Sequence, residues 1–423
     1  MDAGHAVAAC HGGLGVVLPN QARILEFASN SHLQHSRLRL EAMAGRRPAN
    51  AGKANANLPP YVFCSPEQAQ NHAEQTRNGM YSLNTAEIFW RDRQPYLDER
   101  GYALRPRYHQ NWSPSWQGTN MEPMFCEDSI RLIICVVIDA IRKSDGLSVS
   151  IKIVKRDDDE VRIASYLSRP EVSSHPLNHC VRVLDIFPDL FDQETAFLVM
   201  PYLRPFNNPD FGAIGEVTEF VRETLEGLTF LHSQHVAHRD CAAANIMMDG
   251  TPLFPQGHHP VRRQSSPDGI YLLSPLSRID HPVRYYFIDF GISSLFKEGE
   301  SPYVVGRKGR DKELPELSDD VPYNAYKVDV FILGNLFKKD FLQKYYGLEF
   351  LEPLVKAMTA RDPAHRPDAE VALSIYHDIR RGLDPSLLRW RLRARDESAP
   401  ERILYDSVAV AREGIYRLKH IVG

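Results

Sequence analysis

At 423 residues, with 43% hydrophobic and 25% charged content, the chain is long enough for one large two-lobed domain with extensions and has the composition of a protein with a packed core. A formal net charge of -4 provides no global attraction for nucleic acid or for a membrane surface, and neither is expected as a partner. The six cysteines form no CxxC pair and no close cluster, which argues against a disulfide framework and a structural zinc site and for a reducing compartment, cytoplasmic or nuclear.

In chain order, residues 1–60 read as a disordered extension: Arg46-Arg47-Pro48 and an Ala/Asn/Gly-rich run to Pro59-Pro60 offer little to bury. Asp2 and the His11-Gly12-Gly13 break argue against a signal peptide. Residues 61–127 form a helical, aromatic-rich preamble. Ser65-Pro66-Glu67-Gln68 marks one helix start, and Asn84-Thr85-Ala86-Glu87 marks a second. Pro95 is expected to kink or divide that second helix, and Gly101 to end it. Trp112, Trp116, Tyr102 and Tyr108 lie among arginines, a pattern read as packing on a neighbouring lobe ahead of base stacking.

From Ile130 to Val154 the β-branched residues predict strands and a hairpin turning at Ser144-Asp145-Gly146. The richest apolar run, Ile130 to Ile141, carries Arg131 and Asp139 and is too short to span a membrane. Glu160 to Leu167 reads as helix, and Val181 to Ile186 and Ala196 to Met200 as strands. Glu216 to His232 is an amphipathic helix with Val217, Phe220, Val221, Leu225, Leu228 and Leu231 on one stripe. Helical patterns then dominate. Arg389 to Arg395 is a basic segment expected to lie over the larger lobe. Leu404, Val408, Ala411, Ile415, Leu418 and Val422 form an apolar stripe for docking on the domain or on a protein partner.

The chemistry concentrates in two stretches. His238-Arg239-Asp240 is followed, after four residues, by Asn245, and Asp289-Phe290-Gly291 comes later. They supply a candidate proton acceptor, Asp240, and two candidate Mg²⁺ ligands, Asn245 and Asp289. Phosphoryl transfer needs such a set, because its catalysis is mostly positioning and charge neutralisation.

From about residue 128 to about residue 380 the chain resembles eukaryotic protein kinases, with fungal protein-kinase-like proteins the nearest variety. The resemblance implies an α+β bilobal fold over 128–381, with a small β-rich N-lobe at about 128–202 and a larger helical C-lobe at about 203–381. A basic and helical tail follows over 382–423. Val149-Ser150-Ile151-Lys152 resembles the strand whose lysine holds the ATP phosphates, and Glu160, with Asp159 as its rival, the helix carboxylate that holds the lysine. Val137, Ser150, Met200, Pro201, Leu203 and Met247 take nucleotide-pocket positions, with Met200 as gatekeeper, Pro201 and Leu203 as hinge and Met247 as floor. Arg239 takes a place that often meets an activation-segment phosphate, for which Ser301 and Tyr303 are the candidates; the alternative is that it only bonds main-chain carbonyls. Leu314-Pro315-Glu316, Asp329 and Asp362-Pro363-Ala364-His365-Arg366 resemble the late landmarks, with Asp329 bracing the catalytic loop and Glu316–Arg366 a buried ion pair. The implied cofactors are ATP and Mg²⁺, and the substrate a protein hydroxyl, Ser or Thr ahead of Tyr.

The pattern breaks at the Gly-rich loop. Counting back from Lys152 without gaps puts Ile130, Leu132 and Cys135 where three glycines belong, the argument for a pseudokinase scaffold as the alternative function. The insert between Asn245 and Asp289, with His258-His259-Pro260 and Ser266-Pro267, is expected to be an exposed loop.

Overall fold

The computed structural model describes residues 58–422; in the last helix the side chains of residues 412, 413 and 415–422 lie outside the description. The extension expected over residues 1–60 therefore lies, apart from 58–60, outside the described residues. Ser65 caps α1 (Pro66–Arg77), its hydroxyl accepting from the Gln68 N–H while the Gln68 side-chain oxygen accepts from the Ser65 N–H. Asn84 and Glu87 close the same reciprocal cap on α2 (Thr85–Glu99). Of the two outcomes expected at Pro95, a kink or a division, the division does not occur in α2. The Pro95 ring is exposed, so water can take the carbonyl that loses a partner, while buried Trp90, Arg93 and Leu97 hold both halves.

The small lobe is a five-stranded antiparallel sheet in the order β1-β2-β3-β5-β4. Its strands are β1 (Tyr102–Ala103), β2 (Val137–Arg142), β3 (Ser148–Lys155), β4 (Asp185–Pro188) and β5 (Thr195–Pro201). Two boundaries differ from the sequence reading. The run from Ile130 pairs only from Val137, because side chains take its main-chain groups first: Arg105 donates to the Ile130 carbonyl, Trp90 to that of Cys135, and Leu132 N–H donates to Glu87. Likewise Val181 stays out of β4 because its N–H donates to the Phe287 carbonyl.

β1 lies in the stretch read as preamble, so residues 104–136 connect the first two strands of the sheet. The gap-free count that set Ile130, Leu132 and Cys135 at the glycine positions is thereby corrected. No tight turn joins these strands, and the long connector stands in its place.

Alternation along β3 decides the layering. Val149 and Ile151 are fully buried against Trp90 and Leu97 of α2, together with Ile138, Phe187 and Phe197. The preamble thus covers the sheet's outer face; Tyr102 and Tyr108 pack in this cluster, whereas Trp112 and Trp116 pack against each other and Tyr81 within the preamble. Ser150 and Lys152 point to the opposite face, toward α3 (Asp159–Leu167) and the larger lobe.

The larger lobe is built on α4 (Ile214–Ser233), whose apolar stripe is buried along its length. Gly227 lets α4 close on the sheet β6 (Arg204–Pro205), β8 (Ile246–Met248), β9 (Tyr285–Phe287), since a Cβ there would lie 2.7 Å from the His179 Cβ and 2.8 Å from the Phe287 ring. β7 (Val236–Ala237) pairs with β10 (Ser294–Leu295), and β11 (Tyr303–Val304) with β12 (Tyr323–Asn324). The largely buried helix α5 (Ala325–Phe337) and then α6 (Ala369–Arg381) complete the core.

The insert is not the exposed loop expected. His259 is fully buried, its Nδ1 accepting from the N–H groups of Val261 and Arg262, so its Nε2–H donates to Glu127 at 3.3 Å. Arg262 donates to the Met124 carbonyl and the Tyr202 hydroxyl to that of Pro260, so the insert ties the segment after β5 to the connector. Arg389 to Arg395 lies on the larger lobe as read: Arg391 pairs with Glu397 and Asp406, and Arg393 and Arg395 stack over Tyr346. The last helix, α7 (Ala399–Val422), exposes Leu404 and Val408; Ile415, Leu418 and Val422 belong to the side chains outside the description.

Candidate active site

Two groups of side chains converge where the lobes meet. In the first, the Lys152 ammonium on β3 lies 2.5 Å from Glu160 Oε1 on α3 and 2.8 Å from Asp289 Oδ1 after β9. Asp158 caps α3 and starts the helix where Glu160 falls in its first turn, beneath the lysine. Burial alone pushes the Asp289 carboxyl up, but the adjacent ammonium outweighs it and holds the group below the usual carboxylate range. The same two carboxylates overcome the desolvation of Lys152 and raise its pKa, so it stays charged. Gly291 leaves room for this contact. A Cβ there would stand 3.3 Å from Asp289 Oδ1 and 3.4 Å from Glu160 Oε2, so a side chain would press on the Asp289 carboxylate and shift it by a few tenths of an ångström.

The second group sits on the loop after β7. Asp329, at the start of α5 and fully buried, accepts the N–H groups of His238 at 2.8 Å and Arg239 at 2.6 Å. These bonds hold Arg239 at φ 65°, a left-handed conformation that a bulky residue adopts only when its surroundings enforce it. The turn aims Asp240 into the cleft. Asn245 Nδ2 donates to Asp240 Oδ2 at 2.9 Å and to the Asp240 carbonyl at 2.9 Å, leaving the Asn245 side-chain oxygen for a cation. Burial raises the Asp240 pKa, and the hydrogen bonds only partly offset it.

The remaining sequence candidates take these places. Val137 lies opposite Lys152 in the sheet and Ser150 opposite Met200, all four half-buried on the cleft side. Pro201 ends β5, Leu203 follows it, and Met247 is half-buried on β8. The Arg239 guanidinium donates to the carbonyls of Ile292 and Val305 and contacts the hydroxyls of Ser294 and Tyr323; Ser301 and Tyr303 are not among its partners. The ion pair Glu316–Arg366 forms, with Arg366 donating to both carboxylate oxygens and to the carbonyls of Ala360 and Lys327.

Arg310 escaped the sequence reading. The Arg310 N–H donates to Asp240 Oδ1 at 2.7 Å, and its guanidinium lies 3.7 Å from Oδ2. Nothing in the local sequence marks this residue. It reaches Asp240 only because the segment after β11 folds back.

Among the described residues no helix is long and apolar enough to cross a membrane. The protein kinase domain family model matches residues 134–346. The chain is similar to the serine/threonine-protein kinase pakH of Dictyostelium discoideum, at 23% identity over 289 residues that cover 59% of this chain and 52% of that protein. It thus spans about half the length of that relative. A β-rich small lobe on a helical large lobe is the fold this match calls for, and the chain belongs to the protein kinase domain family.

Proposed function

We propose that this chain transfers a phosphoryl group from ATP to a protein hydroxyl, Ser or Thr ahead of Tyr. The carrying observation is that Lys152 holds Glu160 and Asp289 at 2.5 and 2.8 Å while Asn245 fixes the carboxylate of Asp240. Lys152 binds phosphate oxygens and Glu160 keeps it aimed. Val137, Ser150, Met200, Pro201, Leu203 and Met247 line the nucleotide pocket. Asp240 Oδ2 orients the substrate hydroxyl and accepts its proton, and its raised pKa suits a base. The Asn245 side-chain oxygen and the Asp289 carboxylate are hard oxygen donors of the type Mg²⁺ takes. When bound there, Mg²⁺ neutralises charge on the phosphates. Arg239 holds the segment over the loop through main-chain carbonyls. The preference for Ser or Thr leans on the name of the Dictyostelium relative.

A second reading, a kinase-like scaffold without turnover, is favoured by one observation. Residues 104–136 replace the short glycine turn that would close over phosphates, and Ile133 and Ile134 stand exposed just before β2. A thermal-shift titration separates nucleotide binding from its absence. ATP is expected to stabilise the protein by mass action only when Mg²⁺ is present, and Asp289→Asn to remove that dependence. Equal stabilisation without metal would overturn the two-ligand assignment, and no stabilisation under either condition would favour the scaffold.

A further inference from the structure

We infer that Cys64, His72 and Glu122 form a zinc-class metal site that fastens α1 to the connector between β1 and β2. The three donor atoms all lie within 4.8 Å of one another, the described residues' one such group of three His, Cys, Asp or Glu side chains. They come from distant parts of the sequence, which is why cysteine spacing gave no sign of them. Phe63 and Met121 form an antiparallel bridge, flanked by hydrogen bonds from Cys64 N–H to the Asn120 carbonyl and from Glu122 N–H to the Val62 carbonyl, each 2.9 Å. In that register Cys64 and Glu122 are diagonal neighbours on one face of the bridge. α1 lowers His72 onto the same face.

The histidine is already held in a ligand's orientation. Its Nδ1 lies 3.3 Å from Gln75 Oε1 and its Nε2 3.1 Å from Glu122 Oε2, so each ring nitrogen faces an oxygen. A neutral imidazole has one N–H. With Nδ1–H on Gln75, the Nε2 lone pair faces Glu122 and is available to a metal; in the metal-free site a proton on Nε2 takes that place and donates to Glu122. Gln75 then does what an outer partner of a metal-bound histidine does, fixing the tautomer and the ring.

A thiolate, an imidazole and a carboxylate together select zinc over magnesium or calcium. Zinc bonds of roughly 2.0–2.3 Å put neighbouring donors of a tetrahedron about 3.3–3.8 Å apart. The 3.1 Å between His72 and Glu122 is already close to that, so only the Cys64 sulfur has to move inward. Its thiol, which now donates to the Asn120 carbonyl, gives its proton to solvent on binding, and water takes the fourth position. His72 and Glu122 side chains are 17% and 24% exposed, enough for an ion to enter. The site does not depend on the phosphoryl-transfer reading.

The test uses the full chain, expressed with added zinc and purified under reductant without chelator. Elemental analysis is expected to find about one zinc per chain, falling at least tenfold in Cys64→Ser and in His72→Ala and unchanged in Cys135→Ser, an exposed thiol elsewhere. Cobalt titrated into metal-free wild type is expected to give a thiolate-to-metal absorption band, a readout that needs no variant to fold. Zinc no higher in wild type than in the folded double variant Cys64→Ser, His72→Ala, or cobalt binding without a thiolate band, overturns the site.

Discussion

Asp240→Asn is expected to lower phosphoryl transfer by about 10²–10⁴-fold while Mg-ATP affinity stays close to wild type. The carboxylate accepts Arg310 N–H on one oxygen and Asn245 Nδ2 on the other, and it touches neither Lys152 nor Asp289. An amide keeps the shape but removes the proton acceptor. It also sets its own NH₂ against one of those two donors, a loss of about 1–3 kcal/mol in stability that denaturation of the same variant would report. Because burial raises the Asp240 pKa, the base becomes protonated at a higher pH than an ordinary aspartate near 4. The acid limb of kcat/KM should therefore lie above that value and disappear in the variant. Equal and negligible turnover of wild type and variant on a peptide library would remove the catalytic role and leave the scaffold.

What the sequence made legible is what local chemistry decides. Helix starts at Ser65 and Asn84 follow from side chains that cap their own neighbours, and the structure forms both caps. The ordered landmarks His238-Arg239-Asp240, Asp289-Phe290-Gly291 and Leu314-Pro315-Glu316 were readable because each loop needs those residue types in place. The small lobe's first strand was not readable. Tyr102–Ala103 is two residues long and owes its existence to the partner Ile141–Arg142, reached only after the connector. A count without gaps has no means of sensing such an excursion. The burial of His259 was equally hidden: its partner Glu127 lies far upstream, and a histidine pair in a Pro-rich insert reads locally as solvent-facing. Arg310 at Asp240 belongs to the same class, a contact fixed by tertiary folding alone.

Arg107→Met is expected to destabilise the protein by about 3–5 kcal/mol, because it leaves a buried carboxylate without its counter-ion. Arg107 and Glu87 side chains are both 0% exposed and meet through two bonds of 2.7 and 3.1 Å. Arg107 also donates to the Asp128 carbonyl and lies over the Trp112 ring. Glu87 in turn closes the cap of α2 and accepts the Leu132 N–H, so one ion pair joins the helix that covers the sheet to the connector that leads into β2. Desolvation pushes the Glu87 pKa up, but Arg107 and the main-chain donors outweigh it and the folded value is lowered. Its contribution is therefore present above the unfolded carboxylate pKa and is lost as pH falls through the folded one. Urea denaturation of wild type should show that loss on the acid side, and Arg107→Met should lack it. The double variant Glu87→Gln, Arg107→Met should be more stable than Arg107→Met alone, since no buried charge is then left unpaired. A cost below about 1 kcal/mol for Arg107→Met would mean that the preamble contributes little to the small lobe. A full cost, with Lys152 and Glu160 lost from register in the same unfolding step, would make residues 58–136 part of the catalytic lobe's fold.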